Sequence, residues 1–414
     1  MSSRTVLSAG VLGLALTGCA GANPPLLEST PPVARMSAET QAPASFAAWR
    51  DGFRSRALRQ GIEAATFDAA FRGVAPSAEV VRLEGRQAEF ARPIWDYLDS
   101  AVSPERVATG RREAQGRAET LAAIENRYGV DAAAVLAIWG METNYGSFRG
   151  DIPVIQSLAT LAYQGRRRAF AEGELVAALR ILQAGDAAPS QMRGSWAGAM
   201  GHTQFIPTSF LAHAVDFTGD GRRDVWGSDP SDALASAANY LRAHGWQRGR
   251  PWGVEVRLPQ RFDFAEADQD NRRPVEHWRA RGVATASGAP LPDHGTAAIL
   301  APAGANGPVF AVFHNFHVIK RYNNATSYAV GVGHLADRIA GRPAFAAPWP
   351  RGERALSRTE SRELQERLTA RGYDTGGTDG IVGPNTIAAI RAFQSSQGIT
   401  PDGFASASLL RRLR

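Results

Sequence analysis

Cysteine is almost absent. Cys19 stands alone in 414 residues, which excludes an intrachain disulfide and any cysteine-based metal cluster. Lysine is as scarce: Lys320 is the only one among 46 basic residues, so the formal net charge of +6 is carried by arginine. A basic balance favours polyanionic surroundings without choosing among nucleic acid, anionic lipid and cell wall, and a plain solvated basic surface is an equal reading. The eight histidines lack metal-ligand spacing such as HExxH, no glycine-rich phosphate loop follows a strand, and no G-x-S-x-G elbow occurs. These absences disfavour metal hydrolases, nucleotide enzymes and serine hydrolases.

What is present is enough apolar residue, 44%, to bury the cores of two to three domains. Met1–Gly18 combines Arg4, the apolar stretch Val6–Leu16 and the sequence Leu16-Thr17-Gly18-Cys19. The apolar stretch is too short to span a bilayer as a mature helix. Gly21–Ala44, rich in Pro, Ala, Ser and Thr, cannot bury enough apolar surface to fold and reads as a tether. Over Ser45–Tyr128, Phe46, Trp49, Phe53, Phe67, Phe71, Phe90, Ile94, Trp95 and Leu98 recur at helical spacing, which predicts several amphipathic helices.

The chain then reads VLAIWGMETNYG over Val135–Gly146. Asp131 is a suitable N-cap, and a helix from there through Met141 would be apolar on nearly every side and therefore buried. Glu142 falls near its C-terminal end, with Gly146 and Gly150-Asp151 as stop and loop. Apolar neighbours, the negative end of the helix dipole and the lack of an adjacent cation in sequence all raise the pKa of Glu142. A carboxyl held protonated near neutral pH suits a general acid for glycosidic cleavage. A helix-end glutamate turned out to solvent is the competing reading.

Helices are expected through Ile155–Leu161 and Phe170–Gln183. Ser195–Phe210, SWAGAMGHTQFIPTSF, has small residues that allow close backbone approach to a ligand or tight helix packing, and an amide, Gln204, that both donates and accepts. In Asp216–Asp232, the residues Asp216, Thr218, Asp220, Gly221 and Asp224 match positions one, three, five, six and nine of an EF-hand-type loop, with Arg222 placed to contribute a backbone carbonyl. Position twelve is Gly227, so Asp229 or Asp232 would have to close the shell from a longer loop. Alternatively these carboxylates cap the helix starting near Ser231. Further on, Val254-Glu255-Val256-Arg257-Leu258 and Ala297–Phe313 show strand patterning, a small β insertion at about 247–313 in a mostly helical domain. Tyr322, Asn323 and Tyr328 are aromatic and amide groups of the kind a sugar site uses. Gly341–Ser357, with three prolines, reads as a linker (343–357), and 358–414 as a three-helix module that binds more plausibly than it catalyses.

Taken jointly, these blocks resemble the lytic murein transglycosylase B family, glycoside hydrolase family 103, over roughly Phe46–Arg342, and Arg358–Arg414 resembles the common peptidoglycan-binding domain. The matching segments are Gly140–Gly146, Ser195–Phe210, Asp216–Asp232 with Ala238-Asn239-Tyr240, and Tyr322-Asn323 with Tyr328-Ala329. The resemblance implies a mainly α (α+β), lysozyme-like catalytic domain at 45–342. It implies Glu142 as sole acid/base, Ser195 hydrogen-bonded to it, Gln204 reading the sugar, and Tyr240, Tyr322, Asn323 and Tyr328 lining the site. The activity implied is cleavage of the β-1,4 bond between N-acetylmuramic acid and N-acetylglucosamine with anhydromuramic ends; the rivals are a hydrolytic muramidase and a non-catalytic wall-binding lipoprotein. His202, where other members often have Gln or Tyr, and Ala325, where many have Ser, depart from the pattern, and the Asp loop is longer. No cofactor is required; a structural calcium is the candidate metal, with Asp216, Thr218, Asp220, Arg222 and Asp232 as its candidate ligands. Met1–Cys19 resembles a bacterial lipoprotein signal, so that Cys19 would become a lipidated N-terminus (19–44 tether), placing the protein in the periplasm on a lipid anchor. Ala20 after the cysteine favours the outer membrane. Peptidoglycan is then the expected partner, nucleic acid is not, and a monomer is expected.

Overall fold

The computed structural model describes residues 45–86 and 92–414. The signal segment, Cys19, the tether and Phe90 lie outside the described residues. Six helices open the described chain: α1 (Phe46–Arg59), α2 (Ala64–Ala70), α3 (Ala78–Arg86), α4 (Ile94–Ala101), α5 (Pro104–Gly116) and α6 (Ala118–Tyr128). After α7 (Ala132–Thr143) come strand β1 (Ile152–Pro153), α8 (Val154–Gln164), α9 (Arg168–Gln183), β2 (Arg193–Gly194), α10 (Pro207–His213) and α11 (Ser231–Ala243). The insertion comprises β3 (Gly253–Arg257), β4 (Arg273–Pro274), α12 (Val275–Ala280), β5 (Ala284–Thr285), β6 (Thr296–Leu300) and β7 (Val309–Val312). The chain returns to the helical body through α13 (His314–Tyr322) and α14 (Thr326–Ile339), and ends in α15 (Arg358–Ala370), α16 (Pro384–Ser396) and α17 (Ala407–Leu413).

The central element is α7, whose residues from Ala134 to Gly140 are all buried. Its sequence has no polar stripe, so it can be stable only with protein on every side. It packs against α5, α6, α11 and α14. Burying a side chain as large as Trp139 or Ile138 is worth roughly 1.5–3 kcal/mol each, and this apolar jacket fixes where the helix ends. The start differs from the sequence expectation: Asp131 occupies the cap position but makes no side-chain cap bond. Its carboxylate accepts from Trp246 Nε1 (2.8 Å) and Gly249 N (3.0 Å), while Glu125 Oε2 takes the free amide of Ala132 (3.0 Å). A carboxylate from α6 thus does the capping, and Asp131 ties the helix start to the insertion.

The insertion is a five-stranded antiparallel sheet of order β4-β6-β7-β3-β5. Its period-two pattern is used on both faces. Ala297, Ile299, Val309 and Ala311 face a core with Trp278 and Phe262, whereas Ala298, Phe310 and Val312 join the core around α7. The sheet is therefore built into the helical body around α7.

The C-terminal module buries Leu364, Leu368, Ile390, Phe393 and Leu410 among its three helices, and Ser357 with Glu360 forms a capping box at α15. The segment read as a linker is docked along the body. Phe345 stacks on His334 with centroids 3.8 Å apart, the amides of Ala346 and Ala347 donate to Glu255 (2.6 and 2.7 Å), and Arg351 pairs with Asp99 (2.7 Å). Asp402 Oδ2 accepts from Ala305 N of the insertion (2.9 Å), and Trp95 lies against Trp349 and Phe404. Despite its three prolines, the 343–357 segment is not a free spacer.

Candidate active site

Glu142 sits in the last turn of α7, half-buried by its own exposure but with its carboxyl enclosed by protein, and Tyr328 Oη donates to its Oε1 at 2.6 Å. Tyr328 lies on α14, 186 residues along the chain. Burial pushes the Glu142 carboxyl up to about 7, and the Tyr328 hydrogen bond pulls in the opposite direction. Burial and then the nearby Glu142 carboxylate hold the hydroxyls of Tyr322 and Tyr328 protonated far above the ordinary phenol range. These hydroxyls can therefore only donate or accept hydrogen bonds. Asp131, Asp216 and the other carboxylates described here make their bonds elsewhere, and Glu142 forms no ion pair among the described residues.

The helix does not stop on Gly146 alone. Asn144, Tyr145 and Gly146 have φ of 49°, 58° and 82°, three consecutive left-handed residues, of which only glycine adopts the conformation without steric cost. Thr143 Oγ1 closes the turn, donating to His202 O (2.7 Å) and accepting from Gly146 N (3.0 Å). A side chain at Gly146 would meet the His202 ring at 2.7 Å. His202, read in sequence as a departure in a substrate contact, is a buried structural residue. Its Nδ1 accepts from Trp139 Nε1 (3.1 Å), so its Nε2 carries the proton and donates to Gly227 O (2.8 Å). Burial lowers its pKa below the ordinary imidazole value, consistent with this neutral tautomer. Arg149 donates to the carbonyls of Trp226 and Gly227 (2.7 Å to the latter), joining the same cluster.

The other residues singled out from sequence reach this region in different ways. Gln204, at φ 52°, donates through Nε2 to the carbonyls of Arg149 (3.1 Å) and Gly201 (2.9 Å), which leaves its amide oxygen for a ligand. Tyr322 Oη donates to Thr203 O (2.6 Å), Tyr240 Oη donates to Arg321 O (2.5 Å), and their rings meet edge to face at 4.9 Å. Asn323 is buried with its Oδ1 accepting from Ala325 N (3.0 Å), so it shapes the turn into α14. Ser195 makes no hydrogen bond to Glu142: its Oγ accepts from Ala199 N (3.1 Å), closing the turn after β2. The bond to Glu142 expected of Ser195 is made by Tyr328. Sequence reading missed Tyr97, whose buried hydroxyl has no partner among the described residues and feels the Glu142 charge, together with Thr143, Arg149 and Arg106. Tyr97 carried only the signal of an aromatic at helical spacing.

In the acidic loop, Asp216, Asp220 and Asp232 bring carboxylate oxygens within 4.8 Å of one another. Asp232 closes the cluster, whereas Asp229 caps Ser231 (3.0 Å). Asp224 is turned away, accepting from the amides of Trp226 (2.8 Å) and Gly227 (2.9 Å). Thr218 Oγ1 donates to Asp216 Oδ1 (3.4 Å), and the Arg222 amide donates to Asp220 (2.9 Å). Asp232 accepts from the amides of Phe217 (2.9 Å), Thr218 (3.1 Å) and Asp224 (2.9 Å). Backbone amides donate to both oxygens of Asp216 and of Asp232, and one oxygen from each of the three carboxylates still converges with the others, a set that suits a hard cation.

Comparison with known proteins identifies the family. The family model described as the transglycosylase SLT domain matches residues 45–337, and a peptidoglycan binding domain matches 357–413. The chain is 33% identical over 251 residues to membrane-bound lytic murein transglycosylase B of Escherichia coli K12, an alignment spanning 59% of this chain and 66% of that protein, just under two thirds of its length. It resembles the crystal structure of SltB3 from Pseudomonas aeruginosa in complex with NAG-anhNAM-pentapeptide (53% identity, TM-score 0.87, covering 90% of this chain and all of that one). It also resembles Escherichia coli Slt35 in complex with calcium (28% identity, TM-score 0.62, covering 70% and 92%). The chain therefore belongs to the SLT family of lytic transglycosylases, with a peptidoglycan binding domain following its catalytic domain.

Proposed function

We propose that this protein cleaves the β-1,4 bond between N-acetylmuramic acid and N-acetylglucosamine in peptidoglycan by a non-hydrolytic route that leaves 1,6-anhydromuramic ends. The observation that carries the reading is a single enclosed carboxyl, Glu142, poised near neutral pH and held by one hydroxyl from Tyr328. Most glycosidases divide the work between two carboxylates; here one serves twice. Protonated Glu142 gives its proton to the glycosidic oxygen as the C1–O bond breaks, and the substrate's own N-acetyl group stabilises the cation at C1. The resulting carboxylate then takes the proton of the muramyl C6 hydroxyl as O6 bonds to C1. Glu142 ends as it began, and no water is consumed. A pKa of about 7 suits both halves, since acid and base strength are balanced near the working pH. Acid–base catalysis supplies roughly 10²- to 10⁴-fold, so positioning of the sugar, to which the free Gln204 amide oxygen and the ring of Tyr240 are suited, must supply much of the rest.

Digestion of purified sacculi by wild type and Glu142→Gln, followed by mass spectrometry, tests this. Anhydro products lighter by one water than reducing muropeptides, formed by wild type alone, are expected. Reducing ends from wild type would make the protein a muramidase, and undiminished cleavage by the variant would overturn the role of Glu142.

We further infer that the protein works in the periplasm on a lipid anchor at Cys19, a reading supported by the Leu16–Cys19 pattern and by the membrane-bound description of the Escherichia coli relative. Cys19→Ala is expected to move the protein from the membrane to the soluble periplasmic fraction; membrane retention would refute the anchor. The acidic loop is proposed to take a structural calcium through Asp216, Asp220 and Asp232, with the Arg222 carbonyl. Bound there, calcium would neutralise three clustered carboxylates and fasten the loop whose Gly227 carbonyl receives His202.

A further inference from the structure

We propose that Arg106 is a positioning residue for Glu142: from the first turn of α5 it clasps the left-handed Asn144–Gly146 turn that ends the catalytic helix. The inference rests on Glu142 being the catalytic acid. The turn is where the structure departs most from ordinary backbone, because Asn144 and Tyr145 both have positive φ. Asparagine tolerates this conformation and tyrosine rarely adopts it, so contacts outside the turn must hold it there.

Those contacts converge on Arg106. Its side chain donates through Nε to Asn144 Oδ1 at 3.2 Å, and its backbone carbonyl accepts from Tyr145 Oη at 3.0 Å. One residue thus grips two successive members of the turn, through side chain and main chain. Its guanidinium is itself fixed, Nη1 donating to Ser100 O (2.8 Å), and Ser103 caps the start of α5 by accepting from Arg106 N (3.2 Å). Arg106 has no carboxylate partner among the described residues and is half-buried, a placement that ion pairing does not explain.

The glycines nearby fit the same reading. A Cβ at Gly110, one turn further along α5, would lie 2.4 Å from the Tyr145 hydroxyl, and one at Gly140 would lie 2.7 Å from its ring. The Tyr145 side chain therefore lies in a slot between α5 and α7 that only glycine leaves open. With Tyr145 so held and Asn144 gripped, the end of α7 has one trajectory, and Glu142 is presented to Tyr328 of α14. A cation at this place would otherwise be read as a surface arginine or as a substrate-binding group.

The test uses full-length Arg106→Ala, Asn144→Ala, Asn144→Gly and Arg106→Ala/Asn144→Gly proteins, with thermal unfolding as the folding control and soluble uncross-linked glycan strands as substrate. Wild-type anhydro product and its loss in Glu142→Gln report on the functional reading; ratios among the variants report on the clasp. Arg106→Ala and Asn144→Ala should each lower kcat roughly 10- to 100-fold, the loss expected when a catalytic group is misplaced by about 1 Å, with KM within about twofold of wild type. Asn144→Gly, which adopts positive φ freely, should keep more activity than Asn144→Ala, and the double variant should fall no more than about threefold below Arg106→Ala. A rise in KM at unchanged kcat would make Arg106 a substrate contact and overturn the proposal. Multiplicative losses in the double variant, or Asn144→Gly no better than Asn144→Ala, would do the same.

Discussion

Replacing Glu142 by glutamine should abolish cleavage and also stabilise the protein, in a pH-dependent way that needs no substrate to observe. The folded-state pKa is pushed by burial from 4.5 up to about 7, so the native state holds its proton more tightly than the unfolded chain does. Stability must then fall as pH rises from the unfolded to the folded value, where the native state alone is protonated, and level off above. At about 1.4 kcal/mol per pH unit the accumulated loss is about 3 kcal/mol by pH 8. Glutamine has nearly the same shape, its Oε1 can still accept from Tyr328, and it does not titrate. Denaturant unfolding should therefore show variant and wild type diverging from pH 4.5 upward, with Glu142→Gln the more stable by about 2–4 kcal/mol at pH 8. A stability gap that is flat with pH, or that grows toward acid, would show that Glu142 is not held protonated and would remove the physical basis for its role as an acid.

Tyr328→Phe removes the one hydrogen bond that opposes the rise in pKa. A bond to a charged acceptor is worth about 1.5–3 kcal/mol, so the alkaline limb of the kcat profile should move up by about 1–2 pH units while maximal kcat falls; an unmoved or lowered limb would refute the pairing. Calcium added to the chelator-stripped protein should raise its Tm, and Asp216→Asn or Asp232→Asn should remove that response; equal responses in wild type and variants would count against the loop as the site.

Local pattern made much of this protein legible. The unbroken apolar face of α7 required burial and placed Glu142 at its end; the alternation of Val254–Leu258 and the apolar runs within Ala297–Phe313 indicated a small sheet, though not that both its faces are covered; and the leucine and isoleucine spacing of the last three helices indicated a small separate core. These follow from the periods of helix and strand. Long-range partners did not. Nothing near Glu142 in sequence announces Tyr328, 186 residues away, nor that Ser195 spends its hydroxyl on the Ala199 amide. The choice of Glu125 over Asp131 as helix cap, of Asp232 over Asp229 in the loop, and of a docked course for the proline-rich 343–357 segment depended on which groups tertiary packing brings within hydrogen-bond range. The sequence by itself determined that a protonatable carboxyl ends a buried helix. Only the tertiary structure decided what holds that carboxyl, because desolvation and hydrogen bonding are properties of neighbours in space.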